Sequence, residues 1–179
     1  METIEKPWGK EQIICNNELY CGKFLHLKKG YRSSLHMHKK KDETFYILKG
    51  KLLFELNDEE NKMYEGDVVH IKPGDVHRFS GIRDSIIIEF STHHEDNDSY
   101  RLNDSKKMKI IYADIDGKIC TNEQGKYEES KPIQWSINTI NRKYDEGMLV
   151  ILWTSRGTTT GIDWTQLTEN QLKEWGVKY

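Results

Sequence analysis

The sequence predicts an all-β region followed by a partial α/β segment, and three observations carry that reading. From Glu11 to Ser91 apolar and polar residues alternate in short runs broken by glycines. Between His93 and Lys107 the chain turns polar and almost loses its large apolar groups. Beyond that stretch the apolar spacing lengthens to that of helices set between continuous apolar strands.

The strands follow in order. In Lys51–Asn57, Leu52, Phe54 and Leu56 fall on one face and Lys51, Glu55 and Asn57 on the other, with Leu53 the exception. Leu19–Lys28, Phe45–Leu48, Val68–Ile71 and Ser85–Ser91 are further apolar or β-branched runs. Gly30, Gly50, Gly66, Gly74 and Gly81 punctuate them at intervals of ~8–20 residues, as in an antiparallel sandwich or barrel. The stretch His93-His94-Glu95-Asp96-Asn97-Asp98-Ser99 and its continuation read as a linker, which places the division between residues 1–104 and 105–179.

Met108–Asp114 then reads as a buried strand. Ile133, Ile137, Ile140 and Tyr144 share one helical face, with Pro132 suited to the first turn and Gly147 to the C-terminal end. Met148–Trp153 is a second apolar strand. Thr168 and Gln171 have capping-box spacing ahead of Leu172, Trp175 and Gly176, predicting a second helix. Strand, helix, strand, helix implies parallel strands with crossover helices.

Composition removes several classes of function. The 179 residues suffice for one ordinary domain or two small ones. With 27 basic and 29 acidic side chains the net charge is -2, which lacks the basic excess of a nucleic-acid protein. No apolar run approaches the ~20 residues of a membrane helix, and Met1–Lys10 is too charged for a secretion signal. The three cysteines have no metal-type spacing and suit a reducing compartment, so a cytoplasmic protein is expected.

The sharpest chemical signal is Gly30-x5-His36-x-His38-x4-Glu43-x6-Gly50, followed by Gly66-x7-Gly74-x2-His77. Two residues apart on a strand, His36 and His38 point to the same face. Three imidazoles and a carboxylate suit a divalent ion, zinc first, with manganese, iron, cobalt or nickel as alternatives, and leave positions open for substrate.

These two blocks resemble the paired motifs of the cupin superfamily, small β-barrels of jelly-roll type. The resemblance implies that His36, His38, Glu43 and His77 are the metal ligands. Two positions depart from the pattern: Lys72 takes the usual proline's place, with Pro73 one residue later, and Gly81 replaces a terminal asparagine. A narrower set of residues is similar to the cupin domain of type II mannose-6-phosphate isomerases, which accompanies mannose-1-phosphate guanylyltransferases. It comprises Lys6-Pro7-Trp8-Gly9, Gly74-x2-His77-Arg78, Ile88-Glu89-Phe90 and Asp98-Ser99-Tyr100-Arg101.

That match implies metal-assisted aldose–ketose isomerisation of a sugar phosphate, in sugar-nucleotide or surface-polysaccharide metabolism. Glu89 is the candidate base, being a carboxylate inside an apolar strand. Arg78 could grip a phosphate, and Lys39, Lys40 and Lys41 could attract one. The alternative is a non-catalytic module that binds a sugar phosphate or sugar nucleotide. Cupin barrels often pair through their sheets, so a homodimer is expected from the resemblance.

A second constellation begins at Asp114-Ile115-Asp116-Gly117, directly after an apolar strand, and continues with Thr154-Ser155-Arg156-Gly157 after another. Two aspartates at i and i+2 can serve as nucleophile and general acid and can also hold Mg²⁺. Together the segments resemble the first two motifs of the haloacid dehalogenase (HAD) superfamily, closest to small phosphatases of polysaccharide biosynthesis. By that resemblance Asp114 would attack phosphorus, Asp116 would protonate the leaving group and Thr154 would bind the phosphoryl oxygens. Lys118 stands where that family has threonine or valine. The later lysine and acidic pair are missing, so the segment is expected to be an incomplete, Rossmann-type unit without phosphatase turnover.

Overall fold

The alternation in the first region resolves into antiparallel strands in a computed structural model, which describes residues 1–123 and 125–179. In chain order they are β1 (Glu2–Lys6), β2 (Gly9–Asn16), β3 (Tyr20–Leu27), β4 (Tyr31–Arg32), β5 (Leu35–His38), β6 (Glu43–Lys49) and β7 (Lys51–Leu56). They continue with β8 (Glu59–Tyr64), β9 (Val68–Ile71), β10 (His77–Gly81), β11 (Ser85–Thr92), β12 (Ser99–Asn103) and β13 (Lys106–Lys107). One sheet has the order β1-β2-β3-β11-β6-β9. The other runs β12-β5-β10-β4-β13, with β7 pairing both β10 and β8.

Period-2 alternation fills the space between these sheets. Leu25, Leu27, Phe45, Ile47 and Ile87 from the first sheet meet Leu52, Phe54, Met63 and Phe79 from the second, with Trp8 and Ile71 in the same cluster. Trp8 meets Phe79 edge to face, with ring centroids 5.0 Å apart. Each such side chain contributes roughly 1.5–3 kcal/mol when fully buried. Asn57 and Asp58, both at positive φ, close the β7–β8 hairpin with the turn type that matches strand twist. Gly81 has a steric reason to stand where the motif expects asparagine. A Cβ there would lie 2.5 Å from the carbonyl oxygen of Lys28.

The polar stretch after His93 is more than a linker. Asp96–Asp98 forms a short 3₁₀ turn, and β12 pairs with β5, placing Ser99 opposite His38 and Arg101 opposite His36. β13 pairs with β4. The signal was lost because β12 is an edge strand whose residues are largely exposed, so no buried face imposes alternation.

The structure divides into two compact units, Met1–Met108 and Lys109–Tyr179. In the second, β14 (Ile110–Asp114) and β15 (Leu149–Trp153) pair in parallel, with α1 (Gln134–Asp145) between them in sequence and α2 (Thr165–Glu174) after. Ile137 and Ile140 of α1 pack with Ile115, Ile119, Val150, Leu172 and Val177 in one cluster. Gly147, at φ 79°, ends α1: its N–H donates to Tyr144 and that of Met148 to Lys143. This paired closure of a helix end favours glycine.

Helix α2 departs from the expected capping box. It begins at Thr165, whose N–H donates to Asp163, three residues earlier than the Thr168 start. Thr168 and Gln171 instead lie buried inside the helix and hold the side chain of Arg156. Among the described residues, no helix is long and apolar enough to cross a membrane.

Candidate metal centre

His36 and His38 lie on β5, and His77 heads β10 directly opposite His36. Glu43 heads β6, in the other sheet, so the four side chains meet between the sheets. The ring centroids of His36 and His77 are 4.4 Å apart, and those of His36 and His38 5.1 Å. One ligand-type atom from each of the three histidines falls within 4.8 Å of the others.

The backbone orients all three rings in the same sense. Nδ1 of His36 lies 2.9 Å from the carbonyl of Ser34, Nδ1 of His38 2.8 Å from that of Asp98, and Nδ1 of His77 3.1 Å from that of Asp75. A carbonyl only accepts, so each Nδ1 carries the proton and each Nε2 keeps its lone pair for a ligand. Burial, then the neighbouring imidazole of His77, lowers the pKa of His36 to about 3. Burial likewise lowers that of His77 to about 4. Both rings are therefore neutral at pH 7, as metal ligands must be.

The residues present fit a cation. Oε2 of Glu43 lies 3.4 Å from Nε2 of His77 and 3.7 Å from Nε2 of His38. Oε2 of Glu43 and Nε2 of His77 are both buried without a hydrogen-bond partner. Orphaned buried acceptors are costly, and a shared divalent ion would satisfy both.

Behind Glu43 runs a buried charge network. Lys41, 3% exposed, donates to Oε1 of Glu43 at 2.6 Å and also to Oε1 of Glu89. Lys23, 2% exposed, sits 3.9 Å from Glu89 and 3.5 Å from Glu11. Burial would raise the pKa of Glu89, but Lys41 and Lys23 overcome it and hold that pKa near 2. Burial, reinforced by Glu89, pushes Glu43 the other way. Glu89, the candidate base of the sequence, lines the cavity. Its proton affinity, however, is that of a fixed counter-charge rather than a base matched to neutral pH.

His36, His38, Glu43, Lys41 and Glu89 line a cavity of about 330 Å³ together with Lys6, Ser34, His94, Arg101 and Asp104, whereas His77 is fully buried and outside that lining. Arg78 is absent from that lining. It follows His77 on the strand and so faces the other side, where Nε lies 2.5 Å from Glu55. Lys39 and Lys40 are exposed, whereas Lys41 is the buried member of the triplet. Sequence reasoning did not single out Lys23, gave Lys41 only a part in attracting a phosphate, and named Asp98 only within the Asp98–Arg101 segment of the resemblance. Each is an ordinary surface residue type, and only pairing between distant strands buries it.

In the second unit Asp114 ends β14 opposite Trp153. Asp116 accepts a hydrogen bond from Thr154 at 2.8 Å and a two-pronged one from Arg156, at 2.9 Å from Nε and 2.7 Å from Nη2. The structure thus brings Asp116 and Thr154 together. It also places between Asp116 and α2 an arginine to which the sequence reading assigned no role.

Residues 23–90 match the family model of the cupin domain. The two-sheet unit has a jelly-roll fold like that of cupins. Solved structures of the same fold include KdgF from Halomonas sp., 18% identical with a TM-score of 0.51, covering 54% of this chain and 90% of that one. The capsular polysaccharide assembling protein CapF from Staphylococcus aureus is 22% identical with a TM-score of 0.50, covering 57% of this chain and 34% of that one. Oxalate decarboxylase from Bacillus subtilis is 18% identical with a TM-score of 0.50, covering 56% of this chain and 30% of that one. At these identities the cupin likeness is one of fold. No curated protein matches the chain.

Proposed function

We propose that the cupin unit is a metal-dependent isomerase of a sugar phosphate, in cytoplasmic sugar-nucleotide or surface-polysaccharide biosynthesis. The observation that carries the metal-dependent part is the set of three histidines with backbone-held Nδ1 atoms, converging with an unpartnered Glu43 oxygen beside a 330 Å³ cavity. His36, His38, Glu43 and His77 would hold the ion, zinc first. Manganese is the leading alternative, since Mn(II) centres are named for the oxalate decarboxylase of the same fold. A divalent ion bound there supplies Lewis-acid polarisation of neighbouring carbonyl and hydroxyl oxygens.

The chain's own residues account for ligand charge and proton movement. Lys6, Lys23, Lys41 and Arg101 in the lining are balanced by Glu11, Glu43, Glu89 and Asp104, so a divalent ion tips the cavity positive and favours an anionic sugar phosphate. Arg101, opposite His36 and exposed, takes the phosphate-attracting role that Arg78, turned away, does not fill. The remaining imidazole able to take up a proton in the same cavity is His94. Burial, then Lys23 and Lys41, lowers its pKa, and its Nε2 lies 3.2 Å from Asp96. CapF, a capsular polysaccharide assembling protein, adds support for the metabolic setting.

The test is deuterium wash-in from solvent into a C–H bond of aldose and ketose phosphates. Metal-loaded protein exchanges, whereas a His36→Ala/His38→Ala variant does not. Tight binding of a sugar phosphate with no exchange would favour the second reading, a metal-containing binding module. The ion-paired state of Glu89, which removes one base from the cavity, supports that alternative.

For the second unit we propose a HAD-like segment without phosphatase turnover. The support is that Asp116, the acid of that reading, is occupied by Arg156 and Thr154. Turnover of p-nitrophenyl phosphate with Mg²⁺, lost on Asp114→Asn, would overturn it.

A further inference from the structure

Four residues separate His38 from Glu43, yet the chain crosses from one sheet to the other between them. Bringing both side chains to one point requires that the connecting turn, Lys39 to Asp42, keep a single shape. Its sequence gives little reason to: Lys39, Lys40 and Lys41 repel one another, and it contains neither proline nor glycine.

The turn is held from outside by one residue in the stretch that reads as a linker. The carboxylate of Asp98, 6% exposed, accepts the N–H of Lys39 at 3.0 Å through Oδ1. Its Oδ2 accepts those of Lys40 and Lys41, each at 3.1 Å. Three successive amides around one anion form the concavity that backbone N–H groups make for negative charge. The backbone carbonyl of the same residue accepts Nδ1–H of His38 at 2.8 Å.

We infer that Asp98 is the positioning residue of the metal centre, setting both the ring of His38 and the turn that delivers Lys41 and Glu43 to it. This rests on the reading of the four side chains as a metal site. Asp98 does not reach the ion; it acts through the ligands on either side of the turn. Beyond the turn the chain of contacts continues, because Lys41 Nζ fixes Oε1 of Glu43 and leaves Oε2 aimed at the histidines. Outer partners of this kind typically govern metal affinity by 10–100-fold.

The experiment is calorimetric titration of the full chain with zinc, beside the visible absorption spectrum of the Co(II)-loaded protein. Asp98→Ala keeps the backbone carbonyl and removes the three amide contacts. It should weaken zinc binding by roughly 10–100-fold and alter the Co(II) spectrum. Asp98→Asn, which keeps one acceptor oxygen, should lose less. Glu95→Gln, which removes only the exposed ion pair with Lys40, should bind as the parent does.

A lower unfolding midpoint in Asp98→Ala with parental zinc affinity and spectrum would reduce Asp98 to a purely structural role and overturn the proposal. If Asp98→Ala does not fold, Asp98→Asn decides, and parental affinity in that folded variant overturns it equally. A parent chain that takes up neither zinc nor Co(II) would instead bring down the metal-centre reading, and this inference with it.

Discussion

Both units set a carboxylate beside a buried cation, and the two sites are finished differently. In the second unit Asp116 is saturated: Arg156 and Thr154 fill both of its oxygens, and the far side of Arg156 is filled by Thr168 and Gln171. In the cupin unit Lys41 satisfies one oxygen of Glu43 and leaves the other, with Nε2 of His77, buried and unpartnered. A saturated network stabilises a shape. A network with two lone pairs aimed at one point leaves buried acceptors whose free-energy cost a bound cation would offset.

The largest effect that would sharpen this comparison is expected from Lys41→Met. It leaves Glu43 and Glu89 buried without their shared ammonium, which costs about 3–5 kcal/mol in metal-free protein. Urea unfolding followed by hydrogen exchange of residues 1–108 measures it. Added zinc should recover part of the loss, since the ion supplies charge beside Glu43. Absence of any zinc effect would mean that the orphaned acceptors are not a cation site.

Arg156→Met should cost less, about 2–3 kcal/mol, and only in residues 109–179, because Asp116 keeps Thr154 as a partner. No cation should restore it. Recovery of stability with Mg²⁺ would show that the second site, too, is built for an ion.

A third contrast is a pH dependence confined to the first unit. Unfolded histidines protonate near pH 6.5, whereas buried His77 and His36 stay neutral down to about 4 and about 3. Between those values the unfolded chain binds more protons, so stability falls as pH falls from about 6.5 to about 4. Above pH 6.5 this contribution is constant. All seven histidines lie at or before His94, so the second unit should lack it. The difference between parent and a His36→Gln/His77→Gln variant across that window isolates the effect, and a flat difference would contradict the burial of neutral rings.

The His36/His38 pair of the candidate metal site was legible because its geometry is local. His36 and His38 share a face by the period of a strand, and Gly74 marks the turn that leads into His77. The caps at Gly147 and Gly176 were legible for a similar reason, since each closes its helix within a few residues. Arg78 was misjudged because adjacency in sequence suggested adjacency in space, whereas a strand sends successive side chains to opposite faces. Thr168 and Gln171 looked like a capping box, a pattern of spacing alone, but Arg156 had drawn them inward from 12 and 15 residues away.

The sequence by itself determined the all-β class of the first region, the four side chains that can meet at a cation, and the parallel strand–helix–strand order of the second region. Short-range periodicity and spacing encode these, and they survive in any tertiary arrangement that buries the apolar face. Only the tertiary structure decided which charges are buried, that Glu89 is a counter-ion to Lys23 and Lys41, and that Asp98 holds the turn between His38 and Glu43. Those outcomes depend on contacts spanning 48 to 66 residues, such as Lys41 with Glu89 and Lys23 with Glu89, and no local pattern records them.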